Sequence, residues 1–286
     1  MKILFAKDNS VYSGYALEML GQLPVCQQVD LDLVTVIAKL PNPDLVPAEQ
    51  NAVKQLLEQR SEVLARRFRS VSIHTPHGSP GIEITRLAKE ENADLIVLGA
   101  IGQSAIARVL LGSVSEHVAT RSDCSVLVVR PPAVAPTEEL PKPKLPRHVL
   151  IAIGQAESDG RLAQWVREVE LPTETEVHLM HVIETGEYYD LDLLRKASAY
   201  WKEMRSTAAR HIEAMQADLQ SAGYVVHTNI ADAPHIGQAL VDDAAKKNCE
   251  LVVSGDHQGT LIDRILLGST SRYLLRHSTC SVLIAR

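Results

Sequence analysis

The sequence lacks the features that mark several functional classes. Its 286 residues include only four cysteines, and these show neither a C-x-x-C pair nor another zinc-binding spacing, which argues against a cysteine zinc site. No apolar run approaches the roughly 18 residues of a membrane span. Basic residues are not in excess, because the net charge is -6, so general nucleic-acid binding is not predicted.

Signatures of covalent catalysis are also missing. The chain has no G-x-S-x-G elbow and no Walker lysine. Ser113 and Ser269 each follow a glycine, but neither has a base near it in sequence. We therefore interpret these hydroxyls as hydrogen-bond donors. No dedicated base for a turnover enzyme is visible, so the sequence predicts slow hydrolysis at most.

What remains is the composition of an ordinary globular protein, with 45% hydrophobic and 22% charged residues. The first apolar run, from Ile3 to Ala6, is too short for the core of a signal peptide. These observations predict a protein of the cytoplasm without a membrane span.

A repeat divides the chain. Ala107 to Arg130 aligns without gaps with Asp263 to Arg286, and 12 of the 24 positions are identical. Between the copies, the segment 131–146 holds six prolines in sixteen residues, which favours a stiff linker. The sequence therefore predicts two domains, 1–130 and 147–286, joined by a linker over 131–146.

Both halves show short apolar strands separated by helical patterns. This order predicts an α/β fold: two tandem doubly wound parallel-sheet domains with five strands each. The last helix of the first half is predicted over Ile106 to Thr120. The predicted strands are Ile3–Ala6, Val29–Ile37, Val71–His74, Leu95–Leu98 and Val126–Val129, then Val149–Ile153, Val177–Ile183, Val225–Thr228, Leu251–Val253 and Val282–Ala285.

A glycine-rich loop follows the fourth predicted strand. Its spacing is G-x2-G-x9-G-S, with Gly99, Gly102 and the pair Gly112-Ser113. Glycines let the backbone approach a ligand closely, and consecutive N–H groups can then converge on phosphate oxygens. The following helix N-terminus favours negative charge. Ligands in doubly wound folds lie at the carboxyl ends of the strands, where Asp8, Val36 and Gly99 are also expected.

At these residues the chain resembles the universal stress protein family in its tandem two-domain form. The similarity includes the turn from Asp8 to Leu17, the segment Ala93–Gly99, the glycine spacing through Ser113 and the run that begins at Cys124. The resemblance implies a Rossmann-like fold of the adenine nucleotide alpha hydrolase-like type. It also implies pairing of the two domains through their fifth strands and a homodimer of chains.

In ATP-binding members of that family, the glycine signature cradles the triphosphate and ribose. The resemblance therefore implies a site for ATP or another adenine nucleotide, with Mg²⁺ as a companion ion. Asp8 would lie near the ribose or a phosphate-bound cation, and the Val36 backbone would meet the adenine edge. The implied phosphate and ribose residues are Gly99, Gly102, Gly112, Ser113 and Val114.

The second half departs from this pattern. Gly99 is matched by Gly255, and Gly112-Ser113 by Gly268-Ser269, but Gln258 replaces Gly102. The residue that matches Asp8 is Gly154. We therefore predict that the first domain binds nucleotide and that the second binds it weakly or not at all.

Two alternatives to a nucleotide-regulated stress switch remain open. The domains could form a protein-interaction module whose glycine loops are inherited turns. They could also form a small-molecule or lipid sensor, with a pocket near His181, Trp201 and the pair Tyr188-Tyr189 in the second domain. No metal site is predicted, because the histidines of the pairs His74/His77 and His178/His181 are three apart, and such residues face opposite sides of a strand.

Overall fold

The fold is taken from a computed structural model of the whole chain. The structure describes residues 1–38, 42–102, 111–132, 140–154, 156–186, 191–256 and 267–286. The predicted linker lies partly outside these ranges. Within them, no helix has both the length and the apolar character to cross a membrane.

Strands and helices alternate along both halves. The first half contains β1 (Lys2–Ala6), α1 (Val11–Leu20), β2 (Asp30–Val34), α2 (Val46–Leu64), β3 (Ser70–His74), α3 (Pro80–Glu90), β4 (Leu95–Gly99), α4 (Ser113–Arg121) and β5 (Ser125–Val129). The second half contains β6 (His148–Ile153), α5 (Ala156–Glu168), β7 (Glu176–Glu184), α6 (Leu191–Ser221), β8 (Val225–Ala233), α7 (Ile236–Lys246), β9 (Leu251–Gly255), α8 (Ser269–His277) and β10 (Ser281–Ala285).

The described strands form one sheet, in the order β3-β2-β1-β4-β5-β10-β9-β6-β7-β8. Neighbouring strands within each half are parallel, and β1 lies between β2 and β4. The strand order therefore reverses at β1 and β4, and the crevice between their carboxyl ends is where doubly wound folds bind ligands. The predicted α/β class with mostly parallel sheets is confirmed.

Both faces of the sheet are covered. Ile3, Phe5 and Val97 belong to one apolar cluster, which α1, α2, α5 and α6 complete. Leu4 and Ile96 belong to the cluster on the opposite face, with α3, α4, α7 and α8. Buried parallel strands need apolar side chains on both faces, which explains their unbroken runs of valine, leucine and isoleucine.

The two halves meet where β5 runs antiparallel to β10. Val128 pairs with Val282, and Val126 with Ile284. The contact is reinforced by Arg130, which is only 8% exposed. Its backbone N–H donates to Ser281 Oγ over 3.1 Å.

The side chain of Arg130 continues into the second half. Its Nη1 donates to the carbonyl of Cys280 over 3.3 Å, and its Nη2 donates to the carbonyl of Leu275 at the end of α8. Cations near a helix C-terminus complement the partial negative charge of the unpaired carbonyls.

Arg286, the residue equivalent to Arg130 in the repeat, makes the reciprocal contacts with the first half. Its N–H donates to Ser125 Oγ over 3.0 Å. Its guanidinium donates to the carbonyl of Ala119 over 2.6 Å and to that of Cys124 over 3.1 Å. The repeated arginines therefore exchange hydrogen bonds across the β5–β10 contact.

The predicted helix over 106–120 lies partly outside the described ranges, which omit residues 103–110. Within them, Leu111 and Gly112 are not helical, and α4 begins at Ser113. Gly112 has an extended backbone, with φ -76 and ψ 153, and its N–H donates to the carbonyl of Ala100 over 2.7 Å. This hydrogen bond ties Gly112 to the end of β4, directly before α4.

Strand lengths also differ from those predicted. The second strand ends at Val34, not Ile37, and β8 extends to Ala233, five residues beyond its predicted end. Val226 is buried, and β8 pairs with β7 along its whole length. Pairing with a neighbouring strand sets this length, and the local apolar pattern does not record it.

Candidate functional site

All seven predicted binding residues line one cavity in the first half. The cavity has a volume of ≈ 420 Å³ and lies where β1, β2 and β4 end. The predicted residues in its lining are Asp8, Val36, Gly99, Gly102, Gly112, Ser113 and Val114.

Asp8 is held in the turn after β1 by the residues that begin α1. Its Oδ1 accepts hydrogen bonds from the Ser10 N–H, over 3.0 Å, and from Ser10 Oγ, over 2.5 Å. Ser13 Oγ donates to the Asp8 carbonyl over 2.7 Å. The carboxylate is therefore oriented, and its second oxygen, Oδ2, lies beside Gly102.

Gly102 leaves room for this carboxylate. A Cβ at Gly102 would lie 2.9 Å from Asp8 Oδ2, which is closer than real Cβ contacts allow. A side chain at the second glycine position would therefore displace the Asp8 carboxylate.

The described ends of the loop are fixed near the end of β4. Ala100 N–H donates to the Val129 carbonyl over 2.8 Å, and Ser115 Oγ donates to the Gly99 carbonyl over 2.8 Å. A Cβ at Gly112 would lie 3.3 Å from the Ala100 carbonyl oxygen. Gly112 and the start of α4 are consequently held against the end of β4.

The N-terminus of α4 opens onto the cavity. Its N-cap residue, Gly112, provides no side-chain hydrogen bond, and Ser113, Val114 and Ser115 line the cavity. In contrast, α1 is capped by its own Ser10, whose Oγ accepts from the Ser13 N–H over 3.1 Å. Among the described residues, no side chain caps the first N–H groups of α4, so an anion in the cavity could accept from them.

Val36 forms part of the wall after β2. Within the described part of the chain, its backbone N–H and carbonyl make no hydrogen bond. The flanking residues are fixed, since Thr35 N–H donates to the His74 carbonyl and Ile37 N–H to the Pro76 carbonyl. Within the described residues, the Val36 N–H is therefore a free donor and the Val36 carbonyl a free acceptor. The edge of a purine needs one of each.

Lys7 is a lining residue that the sequence analysis missed. It is only 8% exposed, and its Nζ donates to the Asp8 carbonyl over 2.7 Å. Burial, together with the nearby Arg60, lowers the pKa of Lys7 and outweighs the opposing effect of Asp8. A lysine directly before Asp8, at the end of a buried strand, was the available sequence signal for a cation at this site.

The equivalent region of the second half keeps the scaffold of the loop. Ser271 Oγ donates to the Gly255 carbonyl over 2.8 Å, as Ser115 does to Gly99. Gly268 is again the N-cap of the helix, without a side-chain hydrogen bond. Gln258 lies outside the described residues.

The second half differs in its charges. Asp256 stands at the position of Ala100, and its Oδ2 accepts from Arg286 Nε over 2.8 Å. Gly154, which follows β6, cannot supply the carboxylate of Asp8. A carboxylate has thus been lost from the turn, and another has been gained at the loop, where it is paired with Arg286.

The second half has a different cavity of ≈ 330 Å³, between the end of β6 and α6. His181, Tyr200 and Met204 are among its lining residues. His181 is buried, and its Nδ1 lies 3.0 Å from the Ile153 carbonyl oxygen. Of the other residues considered for a sensor pocket, Tyr188 and Tyr189 lie outside the described residues.

The cysteines are not reactive groups. All four are free, and burial raises the pKa of Cys26 to about 11, that of Cys249 to about 12 and that of Cys280 to about 11. These three thiols are therefore protonated near neutral pH.

Comparison with known proteins connects both halves to one family. The model of the universal stress protein family matches residues 1–130 and again residues 146–286. A universal stress protein of Mycobacterium tuberculosis is 31% identical over 245 residues, which cover 82% of this chain and 75% of the relative. One from Methanocaldococcus jannaschii is 36% identical over 142 residues, covering 46% of this chain and 82% of the relative.

The fold has a solved counterpart of similar length. The crystal structure of a universal stress protein from Archaeoglobus fulgidus superposes with a TM-score of 0.67 at 20% sequence identity. The match covers 100% of this chain and 96% of that structure. At this identity the likeness concerns the fold.

Proposed function

The chain belongs to the universal stress protein family, and we propose that residues 1–130 bind an adenine nucleotide such as ATP. The observation that carries this proposal is the convergence of Asp8, the glycine loop and the open N-terminus of α4 on one cavity. Phosphate oxygens would accept hydrogen bonds from the N–H groups of Gly102, Ser113 and Val114. The volume of ≈ 420 Å³ lies within the range typical of small-ligand sites.

The other lining residues can be given roles in the same proposal. Because Ser10 occupies Oδ1 of Asp8, Oδ2 would accept from a ribose hydroxyl or contact a phosphate-bound Mg²⁺. The free backbone groups of Val36 would meet the adenine edge. Lys7 would add positive charge on the same side as Asp8.

We further propose that nucleotide occupancy acts as a switch in stress adaptation, rather than as one step in rapid turnover. The described lining contains the carboxylates of Asp8 and Glu49 but no histidine. With Asp8 already committed to Ser10, slow hydrolysis is the most that this arrangement supports. We place the protein in the cytoplasm, paired through β5 and β10, with a homodimer as the larger assembly.

Calorimetric titration with ATP and with AMP, each with and without Mg²⁺, tests the proposal. Asp8→Asn keeps an oxygen for Ser10 but removes the charge, so it should weaken nucleotide binding at least about tenfold, since a charge-assisted hydrogen bond contributes roughly 1.5–3 kcal/mol. Asp123→Asn, on an exposed carboxylate whose side chain is 72% exposed, is the matched control. Equal affinities in both variants would refute the role of Asp8.

The cavity beside α6 supports a second candidate function, the sensing of a small molecule in the second half. Heating the purified protein to release bound ligand, and identifying that ligand by mass spectrometry, distinguishes the candidate functions. Adenine nucleotide supports the first proposal, and an acyl chain or another metabolite supports the second. An empty protein that also fails the titration would favour a protein-interaction module.

A further inference from the structure

Three histidines and a glutamate gather at the amino-terminal ends of β6, β7 and β8. The register pairs His148 with Glu176 and His178 with His227. Their side chains share one face of the sheet because residues two apart on a strand point the same way. The His178 ring stacks between those of His148 and His227, at centroid distances of 6.0 and 5.0 Å.

Three nitrogens of this cluster are buried without hydrogen-bond partners in the described structure. They are both ring nitrogens of His178 and His148 Nδ1, whose distance to Glu176 Oε2 is 3.8 Å. His178 is only 7% exposed. A buried polar group without a partner is costly, and native proteins rarely leave one unsatisfied. The imidazole of His178, with no hydrogen-bond partner for either nitrogen, is therefore a candidate ligand of a metal ion.

The geometry points to a divalent transition-metal site. One ligand atom each from His148, Glu176 and His178 lies within 4.8 Å of the other two. We propose that these residues bind Zn²⁺, with water in the fourth position on the exposed side. Two imidazoles and a carboxylate match the donors that Zn²⁺ prefers, and ligands around tetrahedral zinc lie roughly 3.4 Å apart, so small side-chain rotations would close the site.

The surroundings suit this role. Glu176 Oε2 lies 3.2 Å from His227 Nε2, which would hold the carboxylate in place as neighbouring groups hold metal ligands elsewhere. Lys247, the C-cap residue of α7, faces the cluster, and its Nζ is paired with Asp243 Oδ2 over 2.7 Å.

The site is separate from the proposed nucleotide cavity. It lies in the other half of the chain and at the amino-terminal edge of the strands, whereas the cavity lies at the carboxyl-terminal edge. The sequence analysis compared His178 with His181 on the same strand, where the two indeed diverge. The proposed ligands come from neighbouring strands, so only the register of β6 and β7 brings them together.

Cobalt titration of untagged, chelator-treated full-length protein tests the proposal. Co²⁺ should produce visible d–d absorption that saturates near one equivalent per chain, and Zn²⁺ should abolish it. Glu176→Gln, which preserves shape, and His148→Gln, at a half-exposed position, should each weaken binding at least about tenfold. His77→Gln, on an exposed histidine of the first half, is the control and should bind like the parent.

Circular dichroism establishes that each variant is folded before titration. Thermal unfolding adds a second readout, because Zn²⁺ should raise the Tm of the parent and of His77→Gln but not that of Glu176→Gln. Absence of the absorption in the parent would overturn the proposal. Equal metal affinity in all three variants would overturn it as well.

Discussion

At the scale of single residues, Gly102 determines the space beside Asp8. Because a Cβ there would lie 2.9 Å from Asp8 Oδ2, Gly102→Ala should displace the carboxylate. We predict that this change weakens nucleotide binding at least about tenfold with little loss of stability, since the displaced group is one carboxylate oxygen. Calorimetric titration and urea unfolding measure the two effects.

Gly14→Ala is the matched control for that substitution. It adds the same methyl group to α1, where nothing lies within 4 Å of the new Cβ. Its affinity should equal that of the parent, and its stability should rise by up to about 1 kcal/mol, because alanine favours the helix over glycine. If both variants bind nucleotide equally, Gly102 is not in contact with the site as proposed.

Single residues of the candidate site were predicted from the sequence more readily than element ends or contacts between strands. Asp8, Gly99 and Gly112 follow strands or precede helices within short segments, so local pattern and resemblance were enough to nominate them. Lys7 was missed because its only sequence signal is its place directly before Asp8 at the end of a buried strand. The metal site proposed at His178 was not predicted because His148 lies on another strand, and the register of β6 and β7 brings it beside Glu176 and His178.

At the scale of elements, α1 begins at a serine cap that also holds Asp8. Ser10 Oγ accepts from the Ser13 N–H and donates to Asp8 Oδ1. Ser10→Ala removes both contacts, and we predict a loss of about 1 kcal/mol in the free energy of unfolding. Urea unfolding measures it, with Ser61→Ala in the interior of α2 as control. A loss of equal size in the control would show that the cap contributes nothing.

A second element, the outer pair β2–β3, is fastened by an ion pair. Arg69 Nε donates to Asp30 Oδ1 over 2.8 Å, and Ser70 Oγ donates to the same oxygen over 2.6 Å. The hydrogen bonds from Arg69, and then from Ser70, hold the pKa of Asp30 well below its usual value.

This shift predicts an acid-dependent loss of stability. A carboxyl whose pKa is lowered by folding stabilises the protein above its unfolded pKa of about 3.9, and that stability is lost as the pH falls below it. The urea midpoint should therefore begin to drop at roughly pH 5 and continue to drop below about pH 3, towards the lowered pKa of folded Asp30. Asp30→Asn should flatten the drop, whereas Asp123→Asn should leave it unchanged. If the urea midpoint of Asp30→Asn falls with acid as much as that of the parent, the role given to Asp30 is contradicted.

Element ends were less predictable than the elements themselves. The start of α4 at Ser113 follows a hydrogen bond from the Gly112 N–H to the Ala100 carbonyl, next to the end of β4. The length of β8 depends on pairing with β7. Both are tertiary interactions that a helical or apolar periodicity does not record.

At the scale of the whole molecule, Arg130 and Arg286 connect the halves reciprocally. Each guanidinium satisfies carbonyls at the end of a helix in the other half, so its loss would leave buried acceptors unpaired. We predict that Arg130→Met costs roughly 2–3 kcal/mol, since hydrogen bonds to charged groups are worth about that much. The double variant with Arg286→Met should lose more and unfold in two separate steps.

Urea unfolding followed by both circular dichroism and tryptophan fluorescence measures this coupling, because Trp165 and Trp201 both lie in the second half. Coincident curves are expected for the parent and for Arg66→Met, a change at an exposed arginine. If the circular dichroism and fluorescence curves of the double variant coincide and their midpoint is unchanged, the arginines do not couple the halves. The repeat showed from sequence that these arginines are equivalent, but their contacts depend on the β5–β10 register.

The asymmetry between the two halves is the central claim, and calorimetric titration of the full-length chain with ATP tests it most directly. The parent should bind about one nucleotide per chain. Gly112→Val should abolish binding, because the larger side chain would strike the Ala100 carbonyl, whose oxygen would lie 3.3 Å from a Cβ. The equivalent change in the second half, Gly268→Val, should leave binding intact. Two sites in the parent, or loss of binding through Gly268→Val with Gly112→Val unaffected, would contradict the account.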